Sequence, residues 1–423
     1  MSGVLASPAE GGQSIVKWPW TAVIAAFGIV AFLVSFFGGY LVRWLAPPLG
    51  WVDMPGGRKI HRGPMPTAGG IAIWLGVTIP LALGYLLGAL ILQEPLWATS
   101  FVKVLREILS EEVLNYVPGF LAQGERLWLM MLAATLLSGL GLWDDRVGVD
   151  WRLRLAIQTL IAVIMVLAGW RATLFLPWRG VADLISILWI VALVNAFNMM
   201  DNMDGLAAGV AAIGAALLAA VMFLAEKPGS SGPQLFVGGF LIVLTGALVG
   251  FLVHNFPKAR LFMGDTGSYF VGFLMAMMTL NATFAGDSLP PHAVLAPVCI
   301  LAIPLYDMTT VVFIRLRSGR SPFVGDRSHF SHRLVELGLT PVQAVLTVWL
   351  ATATCGLGAL VLHQVRPSGA VVVLLIVTAT LVLIRILESA GQRQVGKSQS
   401  LSASANKLLG SSPGLDAEDT RKL

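Results

Sequence analysis

Long apolar runs follow one another through this chain, and they constrain the fold more than any other feature of the sequence. Eleven stretches of about 17 or more mostly apolar residues can each cross a bilayer as a helix. They cover residues 18–45, 69–92, 127–143, 153–169, 183–200, 205–225, 235–256, 268–285, 293–314, 342–363 and 369–387. Only 12% of the residues are charged, about half the share in a soluble domain, which excludes a soluble protein. We predict an all-α polytopic membrane protein with about eleven spanning helices.

Eleven spans place the two termini on opposite sides of the membrane, and the basic residues select the orientation. Lysine and arginine are concentrated in the loops that share a side with residues 46–68, and in the C-terminal tail. Because cytoplasmic loops carry an excess of these residues, we predict an outside N-terminus and a cytoplasmic C-terminus. One transmembrane domain, residues 17–390, is expected between disordered tails at 1–16 and 391–423. Residues 99–116 are typical of an amphipathic helix on the outer surface.

Polar side chains are concentrated in five loops that this topology places on the cytoplasmic side. The loops are WVDMPGGRKIHRGPMPTAGG, GLWDDR, NAFNMMDNMDGLAAG, FMGDTGS and SPFVGDRSHFSHRL. Ionisable groups at membrane depth are costly, and they are functional candidates by default. The five loops therefore predict one polar site on the cytoplasmic face.

Two of these loops carry oxygen ligands at close spacing. Asp144 and Asp145 repel each other at a helix end, and either a divalent cation or a basic partner would relieve that repulsion. Mg²⁺ prefers hard oxygen ligands of this kind and often bridges to substrate phosphates. The alternative is a solvated helix end. Asn195, Asn198 and Asp201 recur every three residues, so that a helix places them along one side, where they can contact a nucleotide base or ligate a metal.

Asp204 and Asp265 each admit two interpretations. Asp204 with Gly205 is typical of a turn, in which the carboxylate either joins the polar strip or caps the next helix. Asp265 lies before an apolar span, where it either holds a metal while nearby backbone N–H groups hold an anion, or acts as an N-cap. The sequence has neither a Walker A lysine motif nor G-x-G-x-x-G, which excludes the usual soluble nucleotide sites.

Two basic loops supply candidate anion ligands. His329 and His332 have the spacing of a zinc pair, but a zinc site would need a third ligand and no H-E-x-x-H is present. Together with Arg333 they fit pyrophosphate better. Lys59 and His61 fit a phosphate in the same way. In both loops the alternative is ordinary basic charge on the inner side of the membrane.

Together and in this order, the motifs resemble the polyprenyl-phosphate N-acetylhexosamine-1-phosphate transferase family (glycosyltransferase family 4). The resemblance runs from about Asp53 to Leu339 and rests on five motifs rather than on any single one. It implies a Mg²⁺-dependent enzyme, with Mn²⁺ as the alternative ion, that joins a UDP-HexNAc to polyprenyl phosphate and releases UMP. It also implies a multi-pass protein of the cell membrane, with a cytoplasmic active site, that initiates a cell-envelope glycopolymer.

Within the family, DRSHFSHRLVELG resembles the branch that uses UDP-GlcNAc; the alternative donor, UDP-MurNAc-pentapeptide, belongs to a branch with a run of histidines in this loop. Ser331 departs from the H-x-H-H pattern of many relatives in the first branch, which leaves two imidazoles in this loop. Arg154 stands where many relatives have lysine, and the two residues are not interchangeable.

The resemblance also implies roles for the candidate residues. Asp265, with Asn198, would hold Mg²⁺, and Asp144 or Asp145 would deprotonate or orient the acceptor phosphate. The nucleotide and sugar would contact Asn195, Asp201, Asp204, Arg154, His329, His332 and Arg333, and the lipid phosphate would contact Lys59 and His61.

A transporter of lipid-linked sugars is the alternative from another class. Transporters often consist of repeated halves with ionisable groups near the bilayer midplane. This sequence has no repeat, and its clearest charges within spans, Asp307 and Arg385, lie nearer the inner end. The expected partners are therefore UDP-HexNAc, polyprenyl phosphate and membrane lipid, and not nucleic acid, while a homodimer remains open.

Overall fold

The computed structural model describes residues 17–54, 63–172, 178–225, 233–282, 290–322 and 329–387. Over these residues the fold is helical apart from one antiparallel hairpin, β1 (Val52–Asp53) and β2 (Met65–Pro66). The helices are α1 (Trp20–Leu49), α2 (Gly70–Gln93), α3 (Thr99–Ile108), α4 (Glu111–Ala122), α5 (Gly124–Val147), α6 (Trp151–Leu167), α7 (Arg179–Met200), α8 (Leu206–Leu224), α9 (Leu235–Asn255), α10 (Gly264–Asn281), α11 (Ala296–Ile300), α12 (Ala302–Arg317), α13 (Phe330–Glu336), α14 (Pro341–Ala359) and α15 (Pro367–Leu387). Short 3-10 turns precede α3 and α11.

Eight helices of the described chain are long and apolar enough to cross a membrane: α1, α2, α5, α7, α8, α9, α14 and α15. Residues 291–317, which bend by 67° between α11 and α12, make a ninth if the bent pair is one span. The remaining two predicted spans coincide with α6, which has only 17 residues, and α10, which begins with a polar turn. An all-α multi-pass membrane protein is confirmed, whereas eleven crossings and their orientation stay predictions.

The predicted amphipathic helix over 99–116 is wrong in one respect, because two helices occupy this stretch. α3 ends at Ile108 and α4 begins at Glu111. The break lies at Ser110, whose backbone is extended and whose hydroxyl accepts a hydrogen bond from the Val113 N–H at 3.3 Å. Such an N-cap starts a new helix, and it interrupts the preceding one.

α10 lies at the centre of the bundle, where every residue from Thr266 to Leu280 is buried. It packs chiefly between α5 and α7, and it also contacts α2. The contact with α5 requires glycine at position 141, because a Cβ there would lie 2.2 Å from the Asp265 carbonyl oxygen. This close packing brings the polar start of α10 directly against the last turns of α5.

Loops from distant parts of the chain meet where α10 begins. The Phe262 N–H donates to Pro66 of β2 and the Gly69 N–H donates back to Phe262, both at 2.9 Å. In addition, the Ser331 hydroxyl of α13 donates to the Asn202 side chain of the α7–α8 loop at 2.6 Å. The described parts of these loops therefore lie together at one end of the bundle.

Two glycines of α5 provide a matched test of this packing. We expect Gly141→Ala to lower the free energy of unfolding by about 1–3 kcal/mol, because the added methyl group would overlap the α10 backbone. Gly139→Ala should leave stability unchanged or slightly raised, because a Cβ at Gly139 meets nothing within 4 Å and alanine favours the helix. Thermal unfolding of the purified variants in detergent measures both, and equal melting temperatures would contradict the packing described here.

Candidate active site

The carboxylate of Asp145 caps the N-terminus of α10 from the neighbouring helix α5. Its Oδ1 accepts from the Asp265 N–H at 2.9 Å, and its Oδ2 accepts from the Thr266 N–H at 3.2 Å. The Thr266 hydroxyl donates to the same Oδ2 at 2.9 Å. The first N–H groups of a helix have no partner within the helix and carry partial positive charge. Asp145 therefore holds α10 against α5, and both of its oxygens are engaged in doing so.

The Asp201 carboxylate accepts a hydrogen bond from the backbone N–H of Gly264, the residue that precedes Asp265. Gly264 has φ +69°, and a Cβ there would lie 2.5 Å from an Asp145 oxygen, so glycine is required on both grounds. Asp201 follows the end of α7, and burial together with the negative charges of Asp145 and Asp204 raises its pKa to about 7, against the opposing effect of the Gly264 hydrogen bond. Near neutral pH this carboxyl group is therefore only partly ionised.

Asp144 points away from Asp145, and with Arg154 of α6 and Asp265 and Tyr269 of α10 it forms a polar cluster. Its Oδ2 pairs with the Arg154 guanidinium and lies 3.1 Å from the Tyr269 hydroxyl. The same guanidinium nitrogen lies 3.5 Å from Asp265 Oδ2. Arg154 thus bridges two carboxylates, and Tyr269, 3.3 Å from Asp265 Oδ2, lies beside both. Consecutive helical residues point about 100° apart, which explains why Asp144 and Asp145 make such different contacts.

Asn198 and Asn195, one helical turn apart on α7, differ in what they contact. The Asn198 amide donates to Asp265 Oδ1 at 2.7 Å and to the Ser268 hydroxyl at 3.1 Å, so Asn198 belongs to the cluster. The Asn195 amide instead donates to Gln158 of α6 at 2.7 Å. Asn195 therefore connects α7 to α6 beside the cluster.

The cluster offers few protein ligands for a metal ion. No group of three or more His, Cys, Asp or Glu side chains suited to a metal occurs in the described part of the chain. Mg²⁺ is commonly held by one or two carboxylates, with water and substrate phosphates completing its shell. Asp265 and Asn198, with Asp144 nearby, offer hard oxygen ligands of that kind, and the position of Arg154 between the carboxylates shows that the site accommodates positive charge.

His329 is held by a buried carboxylate on α12. Its Nδ1 lies 2.9 Å from Asp307 Oδ2, and the other oxygen of Asp307 accepts from the Phe330 N–H at 2.9 Å. Arg315 of α12 lies 3.5 Å from His329 Nε2. His332 and the buried Arg333 follow on α13, which the contact between Ser331 and Asn202 joins to the α7–α8 loop. Asp307 thus fixes the start of the histidine segment.

Three predicted residues remain to be placed. Asp204 does not cap α8, whose N-cap is Gly205; its Oδ2 accepts instead from the Ala259 N–H in the α9–α10 loop at 2.9 Å. Lys59 and His61 lie outside the described residues.

Sequence reasoning missed two residues of this region and undervalued a third. Tyr269 follows Asp265 by four residues, so that helical periodicity would have placed both on one face. Asn255 accepts from the Gly205 N–H at 2.8 Å and donates to Leu261 at 2.9 Å, contacts for which the sequence contains no signal. Asp307 was identified only as a charge within a span.

Comparison with known proteins shows which family this chain resembles in sequence. Residues 127–283 match the family model described as glycosyl transferase family 4. The chain is 32% identical over 383 residues to decaprenyl-phosphate N-acetylglucosaminephosphotransferase of Mycobacterium tuberculosis, covering 84% of this chain and 87% of that protein. It is 29% identical to a probable undecaprenyl-phosphate N-acetylglucosaminyl 1-phosphate transferase of Bacillus subtilis, over 79% and 85% of the two chains. A Yersinia pestis protein named undecaprenyl-phosphate alpha-N-acetylglucosaminyl 1-phosphate transferase is 30% identical, over 77% and 80%.

These similarities identify a class of protein, a multi-pass membrane glycosyltransferase. The chain belongs to glycosyl transferase family 4, and the predicted family is confirmed.

The raised pKa of Asp201 predicts a pH effect on stability. Between about pH 4, where an unfolded aspartate ionises, and about pH 7, the folded chain binds the Asp201 proton more tightly than the unfolded chain. The contribution of Asp201 to stability therefore falls as pH rises through this window, and it changes little above it. Asparagine keeps an acceptor for the Gly264 N–H without ionising. We expect the melting temperature of Asp201→Asn minus that of the wild type to increase from pH 5 to pH 8; a constant difference would contradict this.

Proposed function

We propose that this protein transfers N-acetylglucosamine-1-phosphate from UDP-GlcNAc to a polyprenyl phosphate, giving polyprenyl-diphosphate-GlcNAc and UMP. The names of its relatives support the sugar and the lipid acceptor. The observation that carries the proposal is the cluster of Asp144, Arg154, Asn198 and Asp265 at the end of the bundle where the loops meet. Phosphoryl transfer mainly requires groups that position phosphates and neutralise their charge, and this cluster supplies both.

In the proposed reaction an oxygen of the acceptor phosphate attacks the β-phosphorus of UDP-GlcNAc, and the bond to the UMP oxygen breaks. Asp144 is the candidate proton acceptor, because its Oδ2 faces the cluster while its Oδ1 accepts from the Val149 N–H; both oxygens of Asp145 instead hold α10. The Arg154 guanidinium can move from a carboxylate to a phosphate without losing its charge pairing. Asp145 and Asp201 then act by positioning Asp265 through the first turn of α10.

Asp265 and Asn198 are the proposed ligands of Mg²⁺, with Mn²⁺ as the alternative ion. When bound, the ion would neutralise charge on the pyrophosphate. In this role Asn198 would bind the ion through its side-chain oxygen. Both of the hydrogen bonds described above are donated by Nδ2, so they do not use that oxygen.

The donor-binding side is proposed to lie between the α7–α8 loop and α13. His329, His332 and Arg333 would contact the pyrophosphate or sugar, and the Ser331–Asn202 hydrogen bond would keep α13 beside Asp201. Asp204 and Asn195 would support this side through Ala259 and Gln158. The loop segment and the names of the relatives favour UDP-GlcNAc over UDP-MurNAc-pentapeptide.

UMP release from purified protein tests the function. With undecaprenyl phosphate and Mg²⁺, we expect UMP release from UDP-GlcNAc and little UMP release from UDP-MurNAc-pentapeptide.

Asp144→Asn should lower kcat by ~10²–10⁴, the usual contribution of a general base, and Asp145→Asn should lower kcat less. Asp265→Asn should remain inactive across a Mg²⁺ titration, because an amide is a poor replacement for an anionic ligand. Absence of UMP with every UDP-sugar would refute the proposal; equal losses below about tenfold at Asp144 and Asp145 would refute their roles.

The site is proposed to face the cytoplasm from a plasma-membrane protein with its N-terminus outside. Both native cysteines, Cys299 and Cys355, are buried, so that introduced cysteines can be labelled selectively. Gly63→Cys, in the hairpin loop, should react with an impermeant maleimide only after the cells are permeabilised. Lys103→Cys, on exposed α3, should react in intact cells. The reverse pattern would invert the topology.

A further inference from the structure

A cleft of about 510 Å³ lies at the loop end of the bundle, apart from the carboxylate cluster. It is lined by Tyr40, Arg43, Trp44, Met65, Pro66, Ala259 and Arg260. The first three residues occupy positions i, i+3 and i+4 of α1 and therefore share one face of that helix. The other lining residues belong to β2 and to the α9–α10 loop. Because no residue of the cluster lines this cleft, a ligand in it would not contact the reacting groups.

The cleft contains two arginines whose charge is not balanced by an acid. Among the residues that the structure describes, neither Arg43 nor Arg260 forms an ion pair with a carboxylate, whereas Arg106, Arg154 and Arg171 each do. The Arg43 guanidinium lies 5.7 Å from the centroid of the Tyr40 ring, and the Arg260 N–H donates to the His254 carbonyl at 2.8 Å. Guanidinium groups bind phosphate oxygens in a bidentate manner, so this pair fits an anionic phosphate.

The surroundings of the cleft fit a lipid phosphate better than a soluble one. Trp44 and Tyr40 are 73% and 49% exposed near the end of α1, and these residue types are enriched where membranes meet water. Exposed apolar side chains recur every four residues along the preceding turns, at Ile29, Leu33, Phe37 and Leu41. Acyl chains packed along α1 would therefore place a headgroup beside Arg43.

We propose that this cleft binds the phosphate headgroup of an anionic glycerophospholipid. The phosphate would join Arg43 of α1 to Arg260 of the α9–α10 loop, which leads directly into Gly264 at the start of α10. A lipid at this position would stabilise the loop that carries both Arg260 and the Ala259 contact with Asp204. The proposal does not depend on which sugar or acceptor the enzyme uses.

Titration of the purified, delipidated protein with phosphatidylglycerol in detergent micelles tests this site, with melting temperature and native mass spectrometry as the readouts. Phosphatidylglycerol should raise the melting temperature saturably and remain bound, and phosphatidylcholine should do neither. In Arg43→Gln and in Arg260→Gln, the rise in melting temperature caused by phosphatidylglycerol should be at most half of that in the wild-type protein. Lys258→Gln removes the same charge from the same loop at an exposed position outside the cleft, and it should keep the shift. Arg43→Lys should be intermediate, because charge remains but bidentate binding is lost.

Four results would overturn the proposal. The wild-type protein could show no preference for phosphatidylglycerol, or Lys258→Gln could lose as much as the cleft variants, which would indicate diffuse surface charge. Inorganic phosphate at the same concentration could give the same shift, which would identify a soluble anion. Undecaprenyl phosphate could displace the bound phosphatidylglycerol one for one, which would assign the cleft to the acceptor. If either glutamine variant fails to fold, the Arg43→Lys titration decides.

Discussion

The N-terminus of α10 has no capping side chain of its own, and the geometry of the candidate site follows from how other segments supply one. The backbone N–H groups of Gly264, Asp265 and Thr266 all lie in the first turn. Asp201 accepts from the first, and Asp145 accepts from the other two. The first N–H groups of a helix have no partner within the helix, and side chains that cap them stabilise it by about 0.5–2 kcal/mol, so these contacts constrain how α5, α7 and α10 can pack.

The same contacts determine where the reactive groups point. With Asp145 directed at α10, its neighbour Asp144 is turned towards Arg154 and Tyr269. Asp265 is held by its own N–H, and its side chain is directed at Asn198 and Arg154. The hydrogen bonds that cap α10 therefore bring together the side chains of Asp144, Asp265, Asn198 and Arg154. The cap itself is formed by other atoms, the Asp145 carboxylate and the backbone N–H groups of α10. This explains how adjacent aspartates in one motif can have separate tasks.

Much of the fold could be predicted, because apolar runs long enough to span a bilayer are visible without any knowledge of tertiary contacts. The break between α3 and α4 was also present in the sequence, since Ser110 precedes two glutamates as an N-cap often does. The capping role of Asp145 could not be predicted, because it depends on the close approach of α5 and α10 at Gly141. The pairing of Asp307 with His329 likewise joins residues that are 22 positions apart, and hydropathy alone gives no indication of it.

Asp145 caps α10 from α5, and hydrogen exchange measures this interaction most directly. Backbone amides in a peptide that covers residues 262–269 should be protected in the wild-type protein and should exchange faster in Asp145→Asn, because one oxygen of the cap is lost. In Asp144→Asn the same peptide should keep most of its protection, because Asp144 accepts no hydrogen bond from these amides. Peptides from the buried half of α10 should not change in either variant. Equal exchange of residues 262–269 in the wild-type protein and Asp145→Asn would contradict this account.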